Sequence, residues 1–483
     1  MAIPIKIVYM LYVPVNRPAQ ILVTPPPLPY NHFDPRTTPK SHFKIRKAKM
    51  TPPALRSSVL VSLSAVLLLL ALGGCGGGSG GTSSCGLCGG GGGNPTSITI
   101  TFSGTAPTAI ATQIGAGSFA GASLASGKLT VSVPSGTTNY AVAYACPPVQ
   151  LPAPLNQQYS VHIWEAAISD GTAFSQTCAN SNASASNATL TGTVDATAIS
   201  GTNSVNLLAF NSTTAATGAV SSNSGSFSFA APAGADRVEA LAYDSNFHLL
   251  AAKDLGSQSA PGVVNSGSPI TFASADQVSA QPVTYSGVPS GFVQPNTYAS
   301  ILLGTSAAGS LSSGNISQYP ALPAGALENG DTYSLISIAS ATGSPSRSVS
   351  VLQTFTTAQP VSVTFPAPFT PVVPTPAAWP TFSIQYSGFS TGSIFDAALY
   401  LWNPSPTNSF EVSVTSTAAH QGTTTTVAIP DLSSFAGFPS APASGSSVSW
   451  STAVVQSSYP PGLATPLNAT LTQVVGGGTY TVP

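Results

Sequence analysis

From Ser97 onward, apolar and polar residues alternate in short runs separated by clusters of Gly, Pro, Asn and Ser. The runs include "SITITFSG" (97–104), "KLTVSVPSG" (128–136), "YSVHIW" (159–164), "SVNLLAF" (204–210), "SFSFAAPAG" (226–234) and "VEALAY" (238–243). They continue with "YSLISIA" (333–339), "VSVTF" (361–365), "FSIQYSG" (382–388) and "FEVSVTS" (410–416). Successive side chains of a strand point to opposite faces, so period two predicts half-buried strands, and the clusters between them supply turns. No amphipathic helical pattern longer than two turns is visible. The expected class is all-β: antiparallel β-sandwich modules in series.

Short echoes suggest where modules begin. "ITFSG" at Ile100, "VTYSG" at Val283 and "IQYSG" at Ile384 share one apolar-polar-aromatic-Ser-Gly pattern. "VPSGTTNYAVAY" from Val133, "APAGADRVEALAY" from Ala231 and "LPAGALENGDTYSLISI" from Leu322 share a Pro-small-Gly turn before a tyrosine-bearing strand. Polar "CANSNASASNAT" (178–189) and proline-rich "PAPFTPVVPTPAAWPT" (366–381) read as linkers, the second extended and semi-rigid. The expected modules span 95–180, 187–256, 257–366 and 381–483, with a Pro-rich linker at 367–380.

Charge changes the picture by its scarcity and its placement. Only 6% of residues are Asp, Glu, Lys or Arg. After residue 75 the cations are Lys128, Arg237, Lys253 and Arg347, against thirteen carboxylates. Phosphate neutralisation needs clustered Lys and Arg, so this balance argues against a nucleic-acid partner.

The opening residues break the alternation. "SSVLVSLSAVLLLLALGGC" carries an apolar run from Val59 to Leu72, short for a bilayer span of about 20 residues but suited to the core of a signal peptide. Leu72-Gly73-Gly74-Cys75 follows at once and resembles the lipobox of bacterial lipoproteins. The resemblance implies a signal peptide at 50–74, cleavage between Gly74 and Cys75, and acyl chains (diacylglyceryl and N-acyl, of the palmitate type) on Cys75. Membrane lipid is then the expected partner, and such chains exceed what stable anchoring requires. Gly76 in place of Asp points to the outer membrane or cell surface. Residues 1–49 read as an over-extended start, with Met50 the better initiator; recovery of precursor peptides from 1–49 by mass spectrometry would refute this. The glycine-rich residues 75–94 read as a flexible tether, with a reach of roughly 25 Å.

Cys85 and Cys88 form a C-x-x-C pair within the glycines, expected to be a local disulfide or incidental, since no helix or further ligand accompanies it. Cys146 and Cys178 are expected to bridge, because an exported chain meets an oxidising space. Within 190–254, "LTGTV", "VNLLAF", "NSGSFSFAAPAG" and "VEALAYD" resemble a carboxypeptidase regulatory-like module, a transthyretin-type β-sandwich. That family usually has Asp before the first hairpin glycine and an aromatic soon after the second; here Ser224 and Ala235-Asp236 stand there. The resemblance implies a non-catalytic accessory and names no ligand.

Signals for catalysis are weak. Gly77-Gly78-Ser79-Gly80-Gly81 fits G-x-S-x-G but lies in the tether, away from any strand-to-helix turn. His162, His248 and His420 fall in different modules, without a metal-ligand partner in sequence. His162, Trp164, Glu165 and Asp170 form the densest polar-aromatic cluster, but strand periodicity sends Glu165 to the face opposite His162 and Trp164. Glu328 and Asp331 lie in a turn too sparse in ligands for Ca²⁺. Trp164, Trp379, Trp402 and Trp450 are stacking platforms for a glycan in principle, though core packing is the commoner use. No cofactor motif or metal set is found, and no catalytic residue is assigned. The expected role is an envelope lipoprotein with a structural, adhesive or ligand-binding purpose, the ligand being glycan or protein. The rivals are a lipid-anchored glycan-active enzyme with its site between modules, and a subunit of an envelope assembly.

Overall fold

The computed structural model describes residues 95–483, apart from 151–156, 179–186, 212–213, 259, 305–306, 342, 344, 387–394, 404–408, 417–423 and 458–468. Within them the alternating runs are strands, and one strand order recurs. In the first unit these are β1 (Thr96–Gly104), β2 (Ala109–Ile114), β3 (Ala120–Gly121), β4 (Lys128–Val133), β5 (Asn139–Gln150), β6 (Gln157–Ala167) and β7 (Ala173–Cys178). Strand β1 lies between antiparallel β4 and parallel β7, and β3-β2-β5-β6 form the second sheet.

The second unit comprises β8 (Asn187–Asp195), β9 (Ser204–Phe210), β10 (Ala215–Val220), β11 (Ser224–Pro232), β12 (Arg237–Tyr243) and β13 (Leu249–Asp254). Two short strands, β14 (Gly262–Val263) and β15 (Ile270–Thr271), fill its seventh place, both parallel to β8. They lie beyond residue 256, so pairing carries this unit's sheet past the boundary expected from sequence. The third unit comprises β16 (Ser279–Ser286), β17 (Asn296–Leu303), β18 (Ala307–Gly314), β19 (Gln318–Ala321), β20 (Thr332–Ala341), β21 (Ser346–Phe355) and β22 (Val361–Thr364). Its first strand again sits between an antiparallel and a parallel neighbour, β19 and β22.

The fourth unit comprises β23 (Thr381–Gln385), β24 (Phe395–Asn403), β25 (Ser409–Ser416), β26 (Thr424–Ala428), β27 (Ser447–Ser457) and β28 (Thr470–Thr481). Strand β23 pairs with antiparallel β26 in a two-stranded sheet, and no described strand takes the parallel seventh place.

Each unit buries an apolar layer between its two sheets. In the first, Ile98, Ile100, Val131 and Phe174 meet Tyr140, Val142, Tyr144 and Trp164. In the second, Leu190, Phe227 and Phe272 meet Val205, Leu207 and Ala240. Cys146 and Cys178 stand at disulfide distance, Cα atoms 5.3 Å apart, and tie β5 to β7 across the first sandwich. The Ser-Gly of the repeated pattern has a local cause. Gly104 and Gly287 adopt φ of +80° and +69°, and a Cβ there would meet the carbonyl oxygens of Cys178 and Phe365. The end of the seventh strand approaches so closely that only glycine fits.

The larger sheets of units three, four and one join edge to edge. The result is one twelve-stranded sheet, ordered β18-β17-β20-β21-β28-β27-β24-β25-β6-β5-β2-β3. Strand β21 pairs antiparallel with β28, and β25 parallel with β6. Alternation therefore does not always mean half burial. On β5 and β6, Tyr140, Val142, Tyr144 and Trp164 face the first sandwich, while Ala143, Ala145, Val161 and Ile163 enter the core shared with units three and four. On β5 the alternation is of Tyr and Val against Ala, and both faces are dry.

The proline-rich stretch between β22 and β23 packs as well. Phe369, Pro371, Pro374 and Pro380 are buried. The Tyr480 hydroxyl donates to the Ala377 carbonyl at 3.0 Å. All described residues belong to one compact unit of the chain, and no helix among them is long and apolar enough to cross a membrane.

Candidate functional site

Two polar clusters stand out among the described residues. The first lies on β5, β6 and β7. Tyr144 pairs across the ladder with His162, their rings stacked at 5.0 Å, and the Tyr144 hydroxyl donates to Gln176 Oε1 at 2.9 Å. Trp164 sits edge-on to Phe174 at 4.1 Å and to Tyr140 at 5.8 Å. Burial lowers His162 to about 4, leaving the imidazole neutral at physiological pH, and pushes the Tyr144 hydroxyl up. As periodicity required, His162 and Trp164 share the inner side and Glu165 is excluded from it. Asp170 closes the 3₁₀ turn Ile168–Asp170 after β6. Among the described side chains the arrangement is core packing around the Cys146–Cys178 pair.

The second cluster is at the join of units two and three, and sequence reasoning passed over most of it. Arg237 begins β12 and is 3% exposed. Its Nη1 donates to Asp331 Oδ2 at 2.8 Å, and its Nη2 donates to the Ala326 carbonyl at 3.0 Å and to Glu239 Oε2 at 3.3 Å. Nε approaches Asp254 Oδ2 at 3.4 Å without hydrogen-bond geometry, and Glu328 stands 3.9 Å from Nη1 at the exposed rim. The guanidinium also lies 5.8 Å from the centroid of the Phe210 ring.

Asp331 is occupied in turn. Its carboxylate accepts from the Gly304 and Glu328 backbone N–H groups at 2.9 and 2.8 Å, as well as from Arg237. The "LENGDTY" turn is thus a receptor for arginine. Burial raises Glu239 to about 9, outweighing the attraction of Arg237, so the Arg237–Glu239 contact at neutral pH is a hydrogen bond to a neutral carboxyl. For Arg237 itself, burial disfavours the charge, but the hydrogen bond to Asp331 and the surrounding carboxylates hold it above its ordinary range. Glu239 Oε1 has no hydrogen-bond partner among the described residues. A sequence signal existed: in "DRVEALAYD", Arg237 and Glu239 alternate on one face of an otherwise apolar strand.

The other singled-out residues are dispersed. His248 is 45% exposed, its Nδ1 3.3 Å from Asp244 Oδ2. Trp450 is buried and Trp379 partly so. Gly74, Cys75, Cys85, Cys88, the Gly77–Gly81 stretch and His420 lie outside the described residues, as does the Trp402 side chain. No group of three or more His, Cys, Asp or Glu among the described residues is placed to hold a metal ion. No protein-family model, curated protein or solved structure matches this chain.

Proposed function

We propose that the protein is a cell-envelope lipoprotein, held at a membrane by acyl chains on Cys75, whose sandwich units serve a structural, adhesive or ligand-binding purpose rather than catalysis. The observation that carries this reading is the Cys146–Cys178 pair in the first unit after the lipobox-like stretch. Such bridges persist in oxidising space, which an export signal explains. The shared twelve-stranded sheet supports a scaffold role, because backbone ladders couple three units into a stiff body. The polar clusters fit a structural reading: one is packed between rings, and the other draws Arg237 into contact with Glu239, Asp254 and Asp331 at the join of units two and three. The likeness of 190–254 to a carboxypeptidase regulatory-like module fits an accessory that binds a glycan or a protein.

The test is expression of the wild type and Cys75→Ala in a bacterial host fed a labelled fatty acid. Wild type is expected to carry label and fractionate with membranes, and the variant to lose the label and become soluble. Label retained by the variant would end the proposal.

A further inference from the structure

In units one to three the first strand has a partner on both flanks. Thr99 N–H donates to the Thr172 carbonyl just before β7, and the Ser286 carbonyl accepts from Phe365 N–H at the end of β22. In unit four the Ile429 N–H donates to the Pro380 carbonyl, which sets the ladder phase: Pro380, Phe382 and Ile384 bond towards β26. Antiparallel alternation then turns the backbone groups of Thr381, Ser383 and Gln385 to the opposite flank. Thr381 and Gln385 are exposed, and no backbone hydrogen bond from that flank is made to these three among the described residues.

The apolar share of the seventh strand is supplied differently. In unit three, Phe365 stacks on Tyr285 of the "VTYSG" repeat at 6.4 Å. In unit four, Phe369 meets Tyr386 of "IQYSG" at 6.3 Å, and Pro371 packs on Gly476 of the sixth strand, β28. The strap 366–374 thus fills the layer with side chains, but its prolines lack the N–H that a ladder needs. Val372 and Val373 on the strap are exposed, at 38% and 55%. An uncharged open flank is a site of strand addition.

We propose that this flank of β23 accepts an extended peptide from another polypeptide, pairing in parallel and displacing Phe369 and Pro371. The filled place of unit three defines its chemistry: an uncharged strand with apolar residues at alternate positions, since along β22 and just past it Val361, Val363 and Phe365 are buried and Ser362 and Thr364 exposed; β7 is likewise uncharged, with Phe174 and the hydrogen-bonded Gln176 buried. The proposal is independent of lipid anchoring.

The test uses the full chain in detergent and a synthetic peptide copying residues 358–367. Hydrogen exchange at the Ser383 and Gln385 amides and Trp379 fluorescence are the readouts. Saturable binding is expected to slow exchange at both amides at least tenfold. Aspartate in place of both peptide valines should abolish the effect, and Phe369→Ala or Pro371→Gly should tighten binding at least fivefold by loosening the strap. Circular dichroism shows which strap variant remains folded. Unchanged exchange at millimolar peptide in wild type and in the folded strap variant, or equal protection by the aspartate peptide, would overturn the proposal.

Discussion

Units two and three meet through side chains, whereas units three and four meet through backbone. At the second seam β21 and β28 pair over eight residues, from Ser346↔Gly477 to Gln353↔Thr470. At the first, one guanidinium gathers Glu239, Asp254 and Asp331, Leu208 and Leu241 pack about Gly309, and the Tyr243 hydroxyl donates to the Ser310 carbonyl. A ladder asks little of side-chain identity. Strand β28 carries Gly476, Gly477 and Gly478 in its interior, a composition that weakens an isolated strand, yet it is held by β21 on one side and β27 on the other. The buried clasp has the opposite character, since everything converges on Arg237.

Removing that residue should therefore have the largest effect. Arg237→Ala leaves the buried Asp331 carboxylate without its cation and Glu239 without its hydrogen-bond donor, and should cost about 3–5 kcal/mol in urea unfolding. A loss below that of an ordinary surface substitution would show that the clasp is decorative. Gly476→Ala is next, because a Cβ there would collide with Pro371 and push the strap off β28. About 1–3 kcal/mol of destabilisation is expected, with Trp379 fluorescence as the local reporter.

Glu239→Gln sharpens the contrast through pH. Burial raises Glu239 to about 9, so the folded state keeps the proton while the unfolded chain ionises in the ordinary carboxylate range. Its contribution to stability is full in acid and declines as pH rises towards about 9. The variant should match wild type near pH 4 and gain in melting temperature with each step to pH 9; parallel curves would refute the assignment. The smallest effect belongs to the backbone seam. Ser346→Ala removes a hydroxyl that donates to the Gly477 carbonyl at 3.1 Å, but leaves the ladder intact, and should cost no more than about 1 kcal/mol.

Much of this was legible beforehand, and the exceptions share a cause. "SITITFSG" and "VSVTF" are strands because alternate branched and aromatic side chains suit a pleated surface with one dry face. Cys146 and Cys178, expected from the sequence to bridge, do stand at disulfide distance, and the separation of Glu165 from His162 followed from period two. The double burial of "NYAVAYAC" did not, since Ala and Tyr both count as apolar and only a neighbour decides whether the small face is covered. The Arg237 clasp was half visible, as charges on an oily strand, but its receptor lies 94 residues away in the chain. The proline-rich stretch read as a spacer because proline cannot join a ladder, and composition does not reveal that Phe369 and Pro371 find a groove.

By itself, then, the order of residues determined the strand type, the turn positions, the glycine at the end of the first strand in units one and three and the repetition of one unit, all consequences of local sterics and of which face of a strand is oily. Tertiary structure alone decided that three units share a sheet, that a single arginine clasps the second to the third, and that a strap stands in for a seventh strand. Those outcomes depend on which edges and surfaces meet in space, and the free energy of such meetings is written in pairs of distant residues.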